Sequence, residues 1–213
     1  MILNINEIFY SIQGESTHAG KPCIFIRLAK CNLRCSYCDT GYAYEDGSAL
    51  KIDEILNKIG EYNCKLVEIT GGEPLLQENV VFLMKQLISN NYTVLLETNG
   101  SISTTIVPRE VIKFVDFKCP SSKMDNNNLW SIIDELQPHD EVKFVIGNVD
   151  DYEWTKSKLI EYNLLDKCTV LLAPVFKTIS PKLLASWILE DNLDCRLQLQ
   201  LHKIIWDHKT RGV

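Results

Sequence analysis

The sequence predicts an α/β fold: an incomplete TIM-type barrel of about six βα units behind an N-terminal extended segment. Residues 1–213 are read as a single core domain. Three observations lead there. Short β-rich runs alternate with longer amphipathic runs about six times, the pattern of a parallel sheet with right-handed crossovers. A complete eight-unit barrel takes about 250 residues, whereas this chain has 213, enough for one good core and too few for two sizeable domains. Lastly, polar segments starting at Cys31, Gly71, Asn99 and Cys119 each follow directly on a predicted strand. Both a barrel and a doubly wound open sheet place their active sites there.

Asn4 to Ser16 reads as an added extended segment ending in Gln13-Gly14-Glu15, and His18 to Pro22 as a turn. Cys23 to Lys30 is the first core strand, followed by Leu66 to Thr70, Thr93 to Thr98, Val115 to Lys118, Val142 to Ile146 and Thr169 to Val175. Arg196 to Leu201 adds a further extended segment. Helical stripes lie between them: Ile55, Leu56, Ile59 and Tyr62 after Asp53, then Val80, Val81, Met84, Leu87 and Ile88. Trp130, Ile132, Ile133 and Leu136 form the third, Trp154, Leu159 and Ile160 the fourth, and Leu183, Leu184, Trp187 and Ile188 the fifth.

A net charge of −6, with no run of Lys or Arg, argues against nucleic acid or an anionic membrane as the main partner and favours small-molecule chemistry. No stretch reaches the apolar length of a membrane span, and Met1 to Glu7 alternates unlike a signal peptide. A cytoplasmic protein is expected. There, eight cysteines are unsuited to a disulfide framework and invite a metal reading.

Cys31, Cys35 and Cys38 put three thiols within eight residues. Structural zinc takes four ligands, normally as two separated pairs; the other five cysteines lie singly. Three thiolates instead hold a [4Fe-4S] cluster by three irons and leave the fourth without a protein ligand. The amino and carboxylate groups of S-adenosylmethionine can chelate that iron, bringing the sulfonium beside the cluster.

Thr70-Gly71-Gly72-Glu73-Pro74 is either a tight turn into a helix or a bare backbone close to a ligand, with Glu73 accepting from an ammonium. Glu97-Thr98-Asn99-Gly100 and Lys118-Cys119-Pro120-Ser121-Ser122 are plain turns or further cavity walls. Arg27 alternates with Ile24, Ile26 and Leu28 and so points away from the helices, into the barrel. A guanidinium there needs an anion: a protein carboxylate such as Glu15, or a substrate carboxylate in a bidentate pair.

The C-x3-C-x2-C spacing with Tyr37 before the last cysteine resembles the radical S-adenosylmethionine superfamily. EIFYSIQGES, Arg27, the cysteine loop running into Asp39-Thr40, TGGEP, DFKCPSS and LHKIIWD, in that order, resemble the 7-carboxy-7-deazaguanine synthases. The resemblance implies a lyase that contracts 6-carboxy-5,6,7,8-tetrahydropterin to 7-carboxy-7-deazaguanine and releases ammonia, on the route to queuosine and other deazapurines. It implies a [4Fe-4S] cluster on Cys31, Cys35 and Cys38, S-adenosyl-L-methionine, and Mg²⁺ at Thr40, which otherwise reads as a helix cap. By position it gives Ile12, Gln13, Gly14, Arg27 and Thr70 to the pterin. Gly72, Glu73, Lys118, Cys119 and Pro120 go to the adenosylmethionine. It also implies a homodimer and an electron donor such as flavodoxin or ferredoxin. His202, on the last extended segment, reads as structural, and the residues from His208 onward as a tail able to fold over the pocket. The rival readings are a glycyl-radical-enzyme activating enzyme, which needs a protein partner, and a zinc-binding scaffold module, which holds no sulfide.

Overall fold

Nine strands form one unclosed sheet in the order β3-β1-β2-β4-β5-β6-β7-β8-β9, in a computed structural model that describes residues 1–208 and 210–213. β1 (Ile2–Ile12) runs antiparallel to β2 (Pro22–Leu28) with Glu7 opposite Arg27, and β3 (Ser48–Lys51) runs antiparallel to β1 on the outer edge. From β2 onward the strands are parallel: β4 (Leu66–Gly71), β5 (Thr93–Thr98), β6 (Ile112–Phe117), β7 (Glu141–Ile146), β8 (Thr169–Pro174) and the two-residue β9 (Arg196–Leu197). This is the expected partial barrel, with the extended segment recruited as a strand.

The helices α1 (Ile52–Gly60), α2 (Val80–Ser89), α3 (Val149–Glu161) and α4 (Pro181–Glu190) cover the outer face, and α5 (His202–Ile205) follows β9. Ile24, Ile26, Leu28, Val67, Ile69 and Leu96 are buried against Ile55, Ile59, Leu83 and Leu87. A second cluster gathers Val115, Phe117, Phe144 and Leu172 under Tyr152, Leu159 and Leu184. The alternate residues of the same strands face inward, and several of them are charged.

Three expectations need correction. Trp130–Glu135 is a 3-10 segment, not an α-helix. Asparagines 126–128 and Pro138 confine it, and so short a run does not recover the cost of helix nucleation. Its apolar residues are still used, since Trp130 stacks on Phe117 and Tyr162 at 4.7 Å each. Ile160, assigned to a buried stripe, is 82% exposed. The last extended segment stops at Leu197. Gln198 N–H still bonds Leu172 O at 2.8 Å, but Leu201 N–H turns to Gly14 O at 3.0 Å and His202 opens α5. β3 was not expected from Ser-Ala-Leu-Lys, which lacks the usual strand formers; pairing with β1 makes it a strand.

Candidate active site

The inward faces enclose a cavity of about 670 Å³ at the carboxyl ends of the strands, lined by Cys31, Cys35 and Cys38 on one side and Arg27 and Thr70 on another. The cysteine loop leaves β2 and is held in place by its neighbours. Ser36 N–H donates to Ser122 O at 3.1 Å and Ser36 Oγ–H to Ser121 O at 2.7 Å. Ser121 N–H in turn donates to Asp151 Oδ1 at 2.9 Å, so α3 braces the loop through a buried carboxylate.

The glycine loop after β4 packs on the same turn. Gly72 N–H bonds Leu28 O at 3.0 Å and Glu73 N–H bonds Lys30 O at 2.8 Å. A Cβ on Gly72 would lie 2.2 Å from Lys30 O and 2.8 Å from Cys31 Cβ. The glycine is therefore required by the close approach of two loops, one of them carrying the thiols. Donors also reach the sulfur itself: Leu33 N–H lies 3.4 Å and Asn99 Nδ2 3.8 Å from Cys31 Sγ. N–H groups aimed at a thiolate suit a metal-bound sulfur. Among the described residues no three His, Cys, Asp or Glu side chains group closely enough for a single metal ion. Three thiols lining one cavity can hold a cluster with several irons.

The remaining wall is charged. Lys143 on β7 lies 2.7 Å from Glu15, 2.8 Å from Glu97 and 3.1 Å from Asp116. Lys118 shares Asp116 at 3.1 Å. Burial works against ionising Glu97, but Lys143 and the Thr70 hydroxyl hold its carboxyl down at about 2. Glu68, deeper on β4 and bonded by Gln13 Nε2, is pushed up to about 8 by burial and by the Glu97 charge. Residues 13–17 carry this wall from β1 across to β7, where Thr17 N–H bonds both Glu141 oxygens at 3.0 and 3.1 Å.

A family model for the radical SAM superfamily matches residues 25–121. The 7-carboxy-7-deazaguanine synthase of Chlorobaculum tepidum is 46% identical over 99% of this chain and 97% of its own length. That of Koribacter versatilis is 43% identical over 99% of this chain and 100% of its own. The chain belongs to the 7-carboxy-7-deazaguanine synthase family. The crystal structure of QueE from Escherichia coli superposes with a TM-score of 0.79 at 25% identity, covering 92% of this chain and 93% of that one.

In this family member, most of the residues expected at the site line the one cavity: Ile12, Gln13, Gly14, Arg27, Thr40, Thr70, Gly72 and Lys118 join the three cysteines. Glu73, Cys119 and Pro120 do not. Glu73 is fully buried and turned onto its own loops, accepting from Leu75 N–H at 3.0 Å, Asn99 N–H at 2.7 Å and the Thr98 hydroxyl at 2.9 Å. Burial pushes its carboxyl up to about 7 despite those donors. Strand alternation sends Cys119 outward to the Thr155 hydroxyl at 3.5 Å, in the second core. The 119–122 segment reaches the site through its backbone, which grips Ser36.

Arg27 also has a different partner from the expected one. Its Nε–H donates to Glu7 Oε1 at 2.8 Å, the oxygen that also accepts from Tyr42 at 2.9 Å; Glu15 belongs to Lys143 instead. A single bond through Nε leaves the Nη donors for a cavity anion. Thr40 precedes a 3-10 turn yet makes no side-chain cap bond, and its hydroxyl lies 3.7 Å from Cys38 Sγ. His202 packs on Gly14, where a Cβ would meet its Nδ1 at 2.4 Å, and residues 210–213 line the cavity beside it, Arg211 lying 3.9 Å over the Tyr42 ring. Sequence reading missed Glu68, Asp116 and Lys143. The signal was available: each is a charged residue between two apolar ones on a core strand.

Proposed function

We propose that this chain converts 6-carboxy-5,6,7,8-tetrahydropterin to 7-carboxy-7-deazaguanine with loss of ammonia, as a radical SAM lyase. The observation that carries the reading is that three cysteine thiols and the Arg27 guanidinium face the same cavity. Cys31, Cys35 and Cys38 would hold the cluster, with the backbone at Gly72 and the Lys118 side of the wall against the adenosylmethionine. Bound there, cluster and adenosylmethionine supply a one-electron cleavage of the sulfonium and, with it, a carbon radical able to remove hydrogen.

The protein's part is to place the target C–H and exclude everything else. Arg27 would clamp the pterin carboxylate through its Nη groups, while Glu7 holds the guanidinium from the other edge. Gln13, Gly14, Ile12 and Thr70 would meet the ring, the Thr70 hydroxyl being oriented by Glu97 at 2.8 Å. Mg²⁺ would sit at the Thr40 hydroxyl. One hydroxyl is a modest ligand for a hard cation, so substrate oxygens and water complete its shell. An electron donor such as flavodoxin or ferredoxin would supply the electron, and the protein would work in the cytoplasm as a single-domain homodimer.

Anaerobic incubation with dithionite, adenosylmethionine and the carboxytetrahydropterin, followed by product analysis, tests the reading. It expects the deazaguanine and ammonia, which together hold the same atoms as the substrate. The hydrogen taken from the pterin is therefore given back, and 5′-deoxyadenosine with methionine forms only by abortive cleavage. Formation of 5′-deoxyadenosine with no deazaguanine refutes the substrate assignment.

A further inference from the structure

Lys143 is nearly enclosed, its side chain 4% exposed, and three carboxylates meet on its ammonium. The ammonium also stands 4.6 Å over the Phe114 ring. Neutralising one buried lysine takes one carboxylate; three exceed that need. What separates the three is where each leads.

Glu15 uses its second oxygen to accept from Gln200 Nε2 at 2.9 Å, and its N–H is held by Gln13 Oε1 at 3.0 Å. It therefore fixes the turn that carries Gln13 and Gly14. Glu97 spends its second oxygen on the Thr70 hydroxyl at 2.8 Å. Asp116 shares Oδ2 with Lys118 Nζ at 3.1 Å, while its Oδ1 is buried with no hydrogen-bond partner among the described residues. One ammonium thus fixes the rotamers of three side chains that support the pterin turn, the pterin side wall and the adenosylmethionine side.

We propose that Lys143 is a positioning residue that couples the two halves of the site, so that pterin and adenosylmethionine each tighten the other's binding. This rests on the reaction proposed above. Without the ammonium, Glu15, Glu97 and Asp116 lose their shared counter-charge beside Glu68, on a cavity wall that also carries Arg27, Asp39, Lys118, His202, Lys203, His208 and Arg211 among its ionisable groups. At least one carboxyl must then swing away or take a proton, and the group it supports loosens. A ligand bound to one half no longer finds the other half ordered.

The test uses reconstituted holoenzyme carrying Lys143→Met, Lys143→Arg or Glu15→Gln. For Lys143→Met, KM for the tetrahydropterin rises roughly 10- to 100-fold, as expected for a displaced reacting group. 5′-Deoxyadenosine exceeds deazaguanine, and the Kd of adenosylmethionine measured by dialysis no longer falls when substrate is added. Lys143→Arg keeps the charge and recovers part of the coupling. Glu15→Gln frees only the Gln13–Gly14 turn, so it raises the pterin KM and leaves the adenosylmethionine Kd as it was. Wild-type KM, product ratio and ligand coupling in cluster-loaded Lys143→Met overturn the proposal. Should that variant not fold, a wild-type pterin KM in Glu15→Gln does so. A wild-type enzyme that makes 5′-deoxyadenosine but no deazaguanine refutes the reaction itself, whatever the variants do.

Discussion

Replacing Gly72 with alanine tests the packing of the cluster loop at the cost of one methyl group. The added Cβ would stand 2.2 Å from Lys30 O, 2.5 Å from Lys30 C and 2.8 Å from Cys31 Cβ. Ordinary contact lies near 3.5 Å, so the two loops must part by about 1 Å. None of the three atoms is the free end of a flexible side chain, and the movement falls on the residue that carries the first thiol. Overpacking of this kind costs about 1–3 kcal/mol, and the bond from Glu73 N–H to Lys30 O at 2.8 Å is stretched with it. Displacement of the reacting groups by about 1 Å costs on the order of 100-fold in rate. Reconstituted Gly72→Ala should therefore hold less acid-labile sulfide per chain, melt earlier, and turn over about 100-fold more slowly where the cluster does form. Full iron and sulfide loading with wild-type turnover would show that the two loops do not constrain one another.

Further outcomes test other walls of the cavity. Arg27→Ala removes charge-assisted bonds to the substrate and should raise KM about 10- to 100-fold with cluster content unchanged; normal KM would show that no carboxylate is clamped there. Thr40→Ala should raise the Mg²⁺ concentration for half-maximal activity, and an unchanged Mg²⁺ titration places the ion elsewhere. Glu68 has a folded-state pKa raised from 4.5 to about 8, so folding favours its protonated form. Its stabilising contribution is full below pH 4.5 and is lost as pH rises through 8. Urea unfolding of Glu68→Gln should show an advantage over wild type that widens between pH 5 and pH 8 and then levels; parallel curves would show that Glu68 is ionised throughout.

The parts of the fold legible in the sequence were those written as local periodicity. In the strand at Cys23 to Leu28, Ile24, Ile26 and Leu28 alternate with Phe25 and Arg27, and that alternation alone puts Arg27 on the inner face. Trp130, Ile132 and Ile133 announced a buried surface, but the segment's length decided its backbone, and a 3-10 turn met the same packing need. β3 was illegible because its strand character comes from its partner rather than from Ser48 to Lys51 themselves. At the site, spacing revealed the cysteines and glycines, since they act within one loop. Glu7, Asp116 and Lys143 act across strands that are distant in sequence, and their pairing emerges only from register: Glu7 opposite Arg27, Asp116 opposite Lys143. Cys119 misled because its motif is read as a word, whereas its side chain follows the strand's alternation into the core.

Magnetic-resonance spectroscopy of the reduced, reconstituted enzyme asks most directly whether one iron is left for the cofactor. With adenosylmethionine labelled at the methionyl amino nitrogen and carboxylate oxygen, both labels should couple to the reduced [4Fe-4S] cluster. The Cys31→Ala, Cys35→Ala and Cys38→Ala variants should each lose the signal. A cluster whose irons are all bound by side chains of the protein, or purified protein with zinc and no sulfide, would contradict it.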